Sequence, residues 1–318
     1  MIDEKLLLSG DRRTLAKAIT LIESSRDEDR KLAQDLLEKI LPHTGKSFRL
    51  GITGVPGVGK STFIESFGQL LISKGHKVAV LAVDPSSPLT GGSIMGDKTR
   101  MEKLSAMSEA FIRPSPTAGA LGGVANKTRE TMLLCEAAGF DYVLVETVGV
   151  GQSEYEVQSM VDFFMVLMLP NAGDELQGIK KGILELADAI VVNKADGDMA
   201  DQALRTMGQY QSALELISSN TFWKPFALTC SSLKNDNIQL LFDKINEFQK
   251  LSTGNNHFLE NRGEQNKAWF KKLIHELLEL KLNTEKQYKD QKMLLENSVM
   301  KGELPPLKAA HQLIDGLF

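Results

Sequence analysis

The chain has 318 residues, 42% hydrophobic and 25% charged, which suits one large α/β domain with appendages or two domains. Its net charge of −4 gives no basis for nonspecific binding to nucleic acid or to an anionic membrane. Two cysteines far apart in sequence argue against a disulfide framework, and no apolar run reaches the roughly 18 residues of a membrane span. The opening residues resemble neither a signal peptide nor a basic transit peptide, so we expect a cytoplasmic protein.

Residues 1–46 are expected to form an N-terminal helical extension. Apolar residues recur at helical spacing in two stretches within residues 11–40. Pro42 and Gly45 then break the pattern.

From Phe48 onward, short apolar segments alternate with helical patterns. Near-continuous apolar strands separated by helices indicate a mainly parallel sheet covered on both faces. The predicted strands are Phe48–Thr53, Val78–Val83, Phe111–Arg113, Tyr142–Glu146, Phe163–Leu169, Ala189–Asn193 and Phe226–Thr229. The sequence therefore predicts an α/β core over residues 47–250.

The first of these strands leads into a Gly-x₄-Gly-Lys-Ser loop, which is typical of P-loop nucleotide-binding proteins. Backbone N–H groups in such a loop converge on phosphate oxygens, helped by the helix N-terminus that follows. Lys60 is expected at the β- and γ-phosphates and Ser61 at Mg²⁺. The alternative is a glycine-rich turn with a solvent-facing lysine. The predicted phosphate-binding residues are Gly54, Val55, Pro56, Gly57, Val58, Gly59, Lys60, Ser61 and Thr62.

Acidic residues follow the second predicted strand. Asp84, at its carboxyl end, faces the ligand crevice of a parallel sheet, where it either orients Mg²⁺-bound water or caps a turn. A long glycine-rich polar loop then carries Asp97, expected at the metal, and Arg100, expected near the phosphates. The alternative for Asp97 is a helix N-cap with surface cations around it.

Glu146 ends another strand and is expected to face Mg²⁺, with the N–H of Gly149 sensing the γ-phosphate. Residues 150–159 would then be a switch that orders with GTP. Many GTPases carry Gln directly after this glycine, whereas this chain has Val150, and Gln152 lies two positions further on. We therefore predict slow intrinsic GTP hydrolysis that a partner improves.

A third responsive loop is predicted after the Phe163–Leu169 strand. Its candidate residues are Asn171, Asp174 and Lys180, with Asp174 placed among the catalytic residues. A helix N-cap role for Asp174 is the alternative.

An Asn-Lys-x-Asp run at Asn193, Lys194 and Asp196 resembles the guanine-reading loop of GTPases. The Asp196 carboxylate can accept from guanine N1 and N2 hydrogens, and the stem of Lys194 can lie over the ring. The strand before Cys230 leads to a second base loop whose backbone is expected near guanine O6. The residues assigned to it are Ser231, Ser232 and Leu233.

The core is expected to end near Gln249, with a linker over residues 252–256 and a C-terminal helical extension over residues 251–318. An apolar helical face in this extension needs a partner surface. That surface is either the core of the same subunit or, as we predict, a second subunit of a homodimer. The face comprises Trp269, Leu273, Leu277 and Leu280.

Six stretches of the core are similar to the MeaB/ArgK-type GTPases, the methylmalonyl-CoA mutase-associated chaperones related to human cobalamin type A protein. The most specific is AVDPSSPLTGGSIMGDKTRM at residues 82–101, since generic P-loop proteins lack it. The others are GITGVPGVGKST (51–62), GALGGVANKTRE (119–130), ETVGVGQSE (146–154), NAGDELQGIKKG (171–182) and NKADGD (193–198).

The resemblance implies a P-loop GTPase with helical extensions at both ends, a dimer, and a switch near residues 171–180 that communicates with the mutase. It also implies that Asp84, Asp97, Glu146 and Asp174 surround Mg²⁺ and the γ-phosphate, with Asp97 and Glu146 joining Ser61 as metal ligands.

The predicted function is that of a GTP-hydrolysing chaperone for an adenosylcobalamin-dependent acyl-CoA mutase, with Mg²⁺ and GTP or GDP as its ligands. Cobalamin would belong to the partner. A nickel metallochaperone is one alternative, disfavoured because such a protein wants Cys or His clusters. A kinase linked to amino-acid transport is another, and would need a phosphoacceptor site.

Overall fold

The computed structural model of the protein describes residues 2–24, 26–83, 101–113, 123–147, 153–171, 181–217 and 222–316. The strands are β1 (Phe48–Gly54), β2 (Val78–Val83), β3 (Ala110–Arg113), β4 (Tyr142–Thr147), β5 (Phe163–Met168), β6 (Ala189–Val192) and β7 (Phe226–Thr229). The helices before β5 are α1 (Glu4–Leu8), α2 (Arg12–Glu23), α3 (Asp27–Ile40), α4 (Lys60–Ser73), α5 (Glu102–Ala106), α6 (Gly123–Ala137) and α7 (Ser153–Gln158). Those after β5 are α8 (Lys181–Leu184), α9 (Ala200–Ile217), α10 (Ile238–Gly254), α11 (His257–Thr284), α12 (Lys286–Met300) and α13 (Pro306–Asp315).

The seven strands form one sheet in the order β3-β2-β4-β1-β5-β6-β7, and every pair is parallel. The predicted parallel sheet is therefore confirmed. Strand β1 lies in the middle, where Ile52 is opposite Glu146 of β4 and Gly54 is opposite Leu167 of β5. This register sets the phosphate loop beside the ends of both neighbouring strands.

Both faces of the sheet are covered by apolar side chains, as expected for buried parallel strands. One face packs against α6, on which α2 and α3 pack in turn, with Leu15 and Ile19 fully buried. The other face packs against α4 and α10, with Phe63 and Phe67 fully buried.

Aspartates join the amino ends of neighbouring strands. The Asp162 carboxylate, just before β5, accepts from the N–H of Arg49 in β1 at 2.7 Å. Asp188, just before β6, accepts in the same way from the N–H of Phe164 in β5 at 2.8 Å. Burial raises the pKa of Asp188 to about 7, against the opposing effect of this hydrogen bond. These carboxylates satisfy N–H groups at the point where the strands begin.

A buried network of charges extends this pattern. Arg262 donates to both oxygens of Asp162, at 2.8 and 2.7 Å, and to the carbonyl oxygen of Ser47 at 2.6 Å. Arg49 Nε donates to Glu136 Oε1 at 2.7 Å, and Arg262 Nη1 lies 3.6 Å from the same oxygen. The network joins the start of β1, helix α6 and the first turns of α11.

The predicted linker at residues 252–256 is wrong for most of its length, because α10 continues through Gly254. Ser252 is 1% exposed, and its hydroxyl donates to the carbonyl oxygen of Gln249 at 3.1 Å. Its side chain therefore stabilises the last turn of α10. The Ser-Thr-Gly composition had indicated a loop at this position. Only Asn255 and Asn256 separate α10 from α11.

The chain divides into two compact units that meet in sequence at Arg262 and Gly263. The second unit contains the rest of α11 together with α12 and α13. Within it, the Gln291 side chain donates to the carbonyl oxygen of Gln312 at 3.3 Å, and Ala309 is buried. Of the helices in the described ranges, none combines the length and the apolar character needed to cross a membrane.

Candidate functional site

Glycines shape the loop between β1 and α4. Gly54 has φ +154°, and a Cβ there would lie 2.5 Å from the carbonyl oxygen of Leu167 in β5. Gly59 has φ +94°, and its Cβ would lie 2.9 Å from Asn193 Nδ2. Both positions therefore require glycine, one because of a neighbouring strand and the other because of the base loop.

Helix α4 begins at Lys60 with its N-terminus directed into this loop. Its N-cap residue, Gly59, has no side chain to accept from the first-turn N–H groups. Ser61 lies in that first turn and is partly exposed. Uncapped N–H groups and the helix dipole together favour an anion at this point.

Lys60 is 9% exposed, which contradicts the alternative of a solvent-facing lysine. Its Nζ donates to the carbonyl oxygens of Gly54 at 2.8 Å and Val55 at 3.4 Å. Desolvation lowers its pKa, while the negative charges of Glu146 and Glu154 oppose the shift. The ammonium group thus lies over the loop and donates to carbonyl oxygens. Phosphate oxygens are also hydrogen-bond acceptors and could take their place.

Glu146 lies near the carboxyl end of β4, one strand away from the phosphate loop, and is 8% exposed. The next residue, Thr147, shares a 2.7 Å hydrogen bond between its hydroxyl and that of Thr53 in β1. This buried pair fixes the ends of the two strands against each other. A carboxylate and the Ser61 hydroxyl are oxygen donors of the type that Mg²⁺ takes, so the described part of the donor set fits this ion.

The base loop follows β6 and is bonded to the phosphate loop. The Asn193 amide donates to the carbonyl oxygen of Val58 at 2.9 Å. Its oxygen accepts from the Ser232 hydroxyl at 2.8 Å and from the Ser232 N–H at 3.1 Å. Asn193 is 2% exposed, and its hydrogen bonds link the loop after β6 to the phosphate loop and to the segment at Ser232.

Asp196 is held from the second base segment. The Ser231 hydroxyl donates to Asp196 Oδ1 at 2.8 Å, and Lys234 Nζ lies 3.9 Å from Asp196 Oδ2. The N–H of Ser231 donates to the carbonyl oxygen of Asp236, and that of Ser232 donates to Asn193 Oδ1. Both backbone N–H groups are therefore hydrogen-bonded within the protein. Their described contacts orient Asn193 and Asp196.

Two further residues of the predicted base site are exposed. Lys194 has φ +60°, and its side chain lies beside the phosphate loop, since a Cβ at Gly59 would be 3.9 Å from Lys194 Cε. Leu233 is 78% exposed. The structure therefore brings the phosphate loop, Glu146 and the base loop to one edge of the sheet.

Several predicted residues lie outside the described part of the chain. These are Asp84, Asp97, Arg100, Gly149, Val150, Gln152, Asp174 and Lys180. Asn171, the first residue of the predicted third loop, is described and is exposed.

Glu154 is a residue of this region that the sequence interpretation did not assign. It lies in the first turn of α7, is 5% exposed, and its charge acts on Lys60. Glu154 ends the ETVGVGQSE stretch that begins at Glu146. This proximity in sequence is the signal that could indicate a role for Glu154 near the phosphate loop.

A parallel sheet that presents a Gly-x₄-Gly-Lys-Ser loop, with an Asn-Lys-x-Asp loop bonded to it, defines a P-loop GTPase. Comparison with known proteins narrows this class. The family profile described as methylmalonyl-CoA mutase-associated GTPase MeaB matches residues 15–287. The chain therefore belongs to the MeaB/ArgK family of GTPases.

Individual relatives agree with this assignment. The chain is 51% identical over 271 residues to GTPase ArgK of Escherichia coli, covering 85% of this chain and 82% of that protein. It is 45% identical over 319 residues to the mitochondrial methylmalonic aciduria type A homolog of Mus musculus, covering 97% and 77%. A crystal structure of a LAO/AO transport system kinase is 39% identical, with a TM-score of 0.79, over 99% of this chain and 96% of that one.

Proposed function

We propose that this GTPase is a chaperone for an adenosylcobalamin-dependent acyl-CoA mutase of the methylmalonyl-CoA mutase type. Nucleotide binding and hydrolysis would gate cofactor loading and protect the mutase. The observation that supports this most directly is membership of a family described by its association with that mutase, over residues 15–287.

The nucleotide site of the proposal is the sheet edge that carries Lys60 and Asp196. The first turn of α4 and the Lys60 ammonium group would bind the phosphates, and Asp196 would accept from the guanine N1 and N2 hydrogens. The bond from Asn193 to Val58 supports a single pocket, because it fixes the spacing between the two loops.

Mg²⁺ would neutralise phosphate charge in this pocket. Ser61 and Glu146 would hold it, joined by Asp97, with Asp84 and Asp174 nearby. Buried carboxylates near the phosphates are unfavourable unless a cation accompanies the nucleotide, and Glu146 is 8% exposed. Hydrolysis is proposed to be slow in the isolated protein and faster with the client.

The response to the client is assigned to the segment Asn171–Lys180, which follows β5 in the chain. Strand β5 pairs directly with β1, so the segment begins beside the phosphate loop in the sheet. This neighbourhood supports its proposed role as the switch that communicates with the mutase.

A homodimer is part of the proposal, with residues 251–318 as the dimerisation arm. Within the second compact unit, large apolar side chains remain exposed, which supports a protein partner for this region. They include Phe270 (64%), Leu277 (60%), Leu294 (67%) and Leu307 (73%). We expect Leu277→Glu to lower the mass measured by light scattering from dimer to monomer, whereas Leu216→Glu, a control 88% exposed in α9, leaves it unchanged.

The client assignment is tested by co-purification. The full chain is mixed with a methylmalonyl-CoA mutase in the presence of GDP or of a non-hydrolysable GTP analogue, and we expect association that depends on the nucleotide. Failure to associate in either state would reject the chaperone role and leave the GTPase intact. Labelled γ-phosphate should appear as free phosphate; its appearance on a protein or metabolite would instead favour a kinase.

We also propose a cytoplasmic location, supported by the net charge of −4 and the composition of a soluble globular protein. Fractionation of cells that express the tagged chain checks this directly.

A further inference from the structure

Arg129 is a buried cation outside the nucleotide-binding loops. It lies in α6 and is 8% exposed, and desolvation lowers its pKa to about 10, with the charge of Glu156 opposing this shift. One of its terminal nitrogens, Nη2, donates to both the carbonyl oxygen and the hydroxyl oxygen of Ser159, each at 2.8 Å. Because a buried cation needs good partners, these two bonds tie Arg129 firmly to Ser159.

Ser159 is the residue that follows the end of α7. Its N–H donates to the carbonyl oxygen of Tyr155 at 3.0 Å, and its hydroxyl donates to that of Glu156 at 2.7 Å. The last carbonyl groups of a helix carry partial negative charge and lack helical partners, so a guanidinium group at this end is stabilising. Arg129 therefore clamps the C-terminal end of α7 from a separate helix.

Helix α6 is a fixed support for this clamp. Seven residues beyond Arg129, Glu136 accepts from Arg49 in β1 at 2.7 Å and from the Ser47 hydroxyl at 2.6 Å. This end of α6 is thereby bonded to the amino end of the sheet. Because α6 is held in this way, α7 cannot move at Ser159 without breaking the hydrogen bonds from Arg129.

Helix α7 lies against β1, the strand that leads into the phosphate loop, because a Cβ on Gly51 would lie 3.0 Å from Val157 Cγ1. Glu154, in the first turn, is 5% exposed, and its charge reaches Lys60. Helix α7 has six residues, so it is only about 9 Å long, and a helix this short has no stability of its own. Its position depends on packing, through the fully buried Val157, and on the clamp at Ser159.

We propose that Arg129 is a positioning residue for GTP hydrolysis, which holds Ser159 and thereby keeps Glu154 of α7 in place beside the phosphate loop. This role rests on the nucleotide site proposed above. Arg129 would act through Ser159 and α7, whereas the phosphate loop would contact the reacting nucleotide. Arg129 belongs to the GALGGVANKTRE stretch, which the nucleotide motifs leave without a role. The described part of this stretch would thus supply the support for α7.

The test uses single-turnover GTP hydrolysis and GDP binding by the full chain. Arg129→Met removes both bonds to Ser159, and we expect hydrolysis to slow about tenfold with GDP affinity changed less than about twofold. Arg129→Lys keeps a cation but loses the planar guanidinium group, so it should recover only part of the rate. Ser159→Ala keeps the carbonyl acceptor and should slow hydrolysis only about threefold.

Arg113→Met is the matched control, because Arg113 forms an ion pair with Glu23, a residue of α2. It should leave the hydrolysis rate unchanged. Hydrolysis unaffected by both Arg129→Met and Ser159→Ala would overturn the proposal, and so would an equal loss of hydrolysis and GDP affinity. If Arg129→Met does not fold, Ser159→Ala decides alone: threefold slower hydrolysis with unchanged GDP affinity supports the proposal, and a wild-type rate overturns it. A wild-type chain that ignores GTP would instead overturn the nucleotide site itself.

Discussion

The two ends of the parallel sheet use buried charge in different ways. At the amino end, Arg49, Glu136, Asp162 and Arg262 are each no more than 7% exposed and bond to one another at fixed positions. At the carboxyl end, Lys60 donates to backbone carbonyls of its own loop. Charges of the first kind hold elements together, whereas a cation on loop carbonyls can exchange them for phosphate oxygens.

The comparison predicts that substitutions at the amino end affect stability and those at the carboxyl end affect nucleotide binding. The largest effect is expected for Arg262→Met, which leaves Asp162 and Glu136 without one of their cations. We expect the free energy of unfolding to fall by about 3–5 kcal/mol in urea titrations, with the GDP affinity of the folded protein unchanged.

The control for this substitution is Arg30→Met. Arg30 pairs with Asp27 at 2.9 Å on the surface of α3, and that aspartate side chain is 90% exposed. An exposed pair of this kind contributes about 0–1 kcal/mol. Equal destabilisation by the two substitutions would contradict the special role of the amino-end network.

Lys60→Ala is expected to have the next largest effect, at the opposite end of the sheet. Loss of the ammonium group should weaken GDP and GTP binding by about 100-fold, since a hydrogen bond to a charged group contributes about 1.5–3 kcal/mol. Its effect on unfolding should be smaller than that of Arg262→Met. Calorimetric titration measures the first quantity and urea titration the second.

Lys74→Ala serves as the matched variant, because Lys74 caps the other end of the same helix and is exposed. It should bind GDP like the wild type. A Lys60→Ala chain that keeps its nucleotide affinity but loses most of its stability would reverse the assignment of the two ends.

Asp188 gives a pH-dependent test of the amino end. Its pKa of about 7 lies above the unfolded value of 3.8, so the native state binds this proton more tightly. The stability from this group is complete below pH 4 and is lost as the pH rises through 7. Relative to wild type, Asp188→Asn should therefore gain roughly 1–3 kcal/mol between pH 5 and pH 8 in urea titrations. Stability differences that stay constant over this interval would show that Asp188 is charged throughout.

Ser231→Ala should have the smallest effect of these substitutions. It tests whether a residue at the carboxyl end of the sheet affects GDP binding even when it only orients another side chain. The Ser231 hydroxyl orients Asp196, so its loss should weaken GDP binding by about fivefold, or roughly 1 kcal/mol. Ser212→Ala removes an exposed hydroxyl bonded to its own helix at Gly208 and should change nothing. Fluorescence titration with a labelled GDP resolves this difference; equal affinities for the two variants would remove Ser231 from the base site.

Sequence patterns are sufficient for the strands and their parallel arrangement, because apolar runs and the helices between them are local features. The apolar run at Val78–Val83 predicts β2 with its observed bounds, and the Gly-x₄-Gly-Lys-Ser spacing alone predicts the sharp turns around Lys60. The clamp of Arg129 on Ser159 joins residues 30 positions apart, and the Arg262–Asp162 pair joins residues 100 apart. Such partners depend on tertiary packing, which local composition does not specify. The same limit explains the wrong linker, because the burial of Ser252 in α10 is a tertiary feature that its composition does not show.

In the proposed nucleotide site, the hydrogen bond from Asn193 to Val58 would fix the distance between the base loop and the phosphate loop. A molecule that fills only the guanine half or only the phosphate half leaves the other half solvated but still in register. A nucleoside diphosphate that spans both halves loses its translational freedom only once on binding. Its association constant should therefore exceed the product of the association constants of its two fragments. The site would therefore select by length, and guanosine, which lacks the phosphates, should bind far more weakly than GDP.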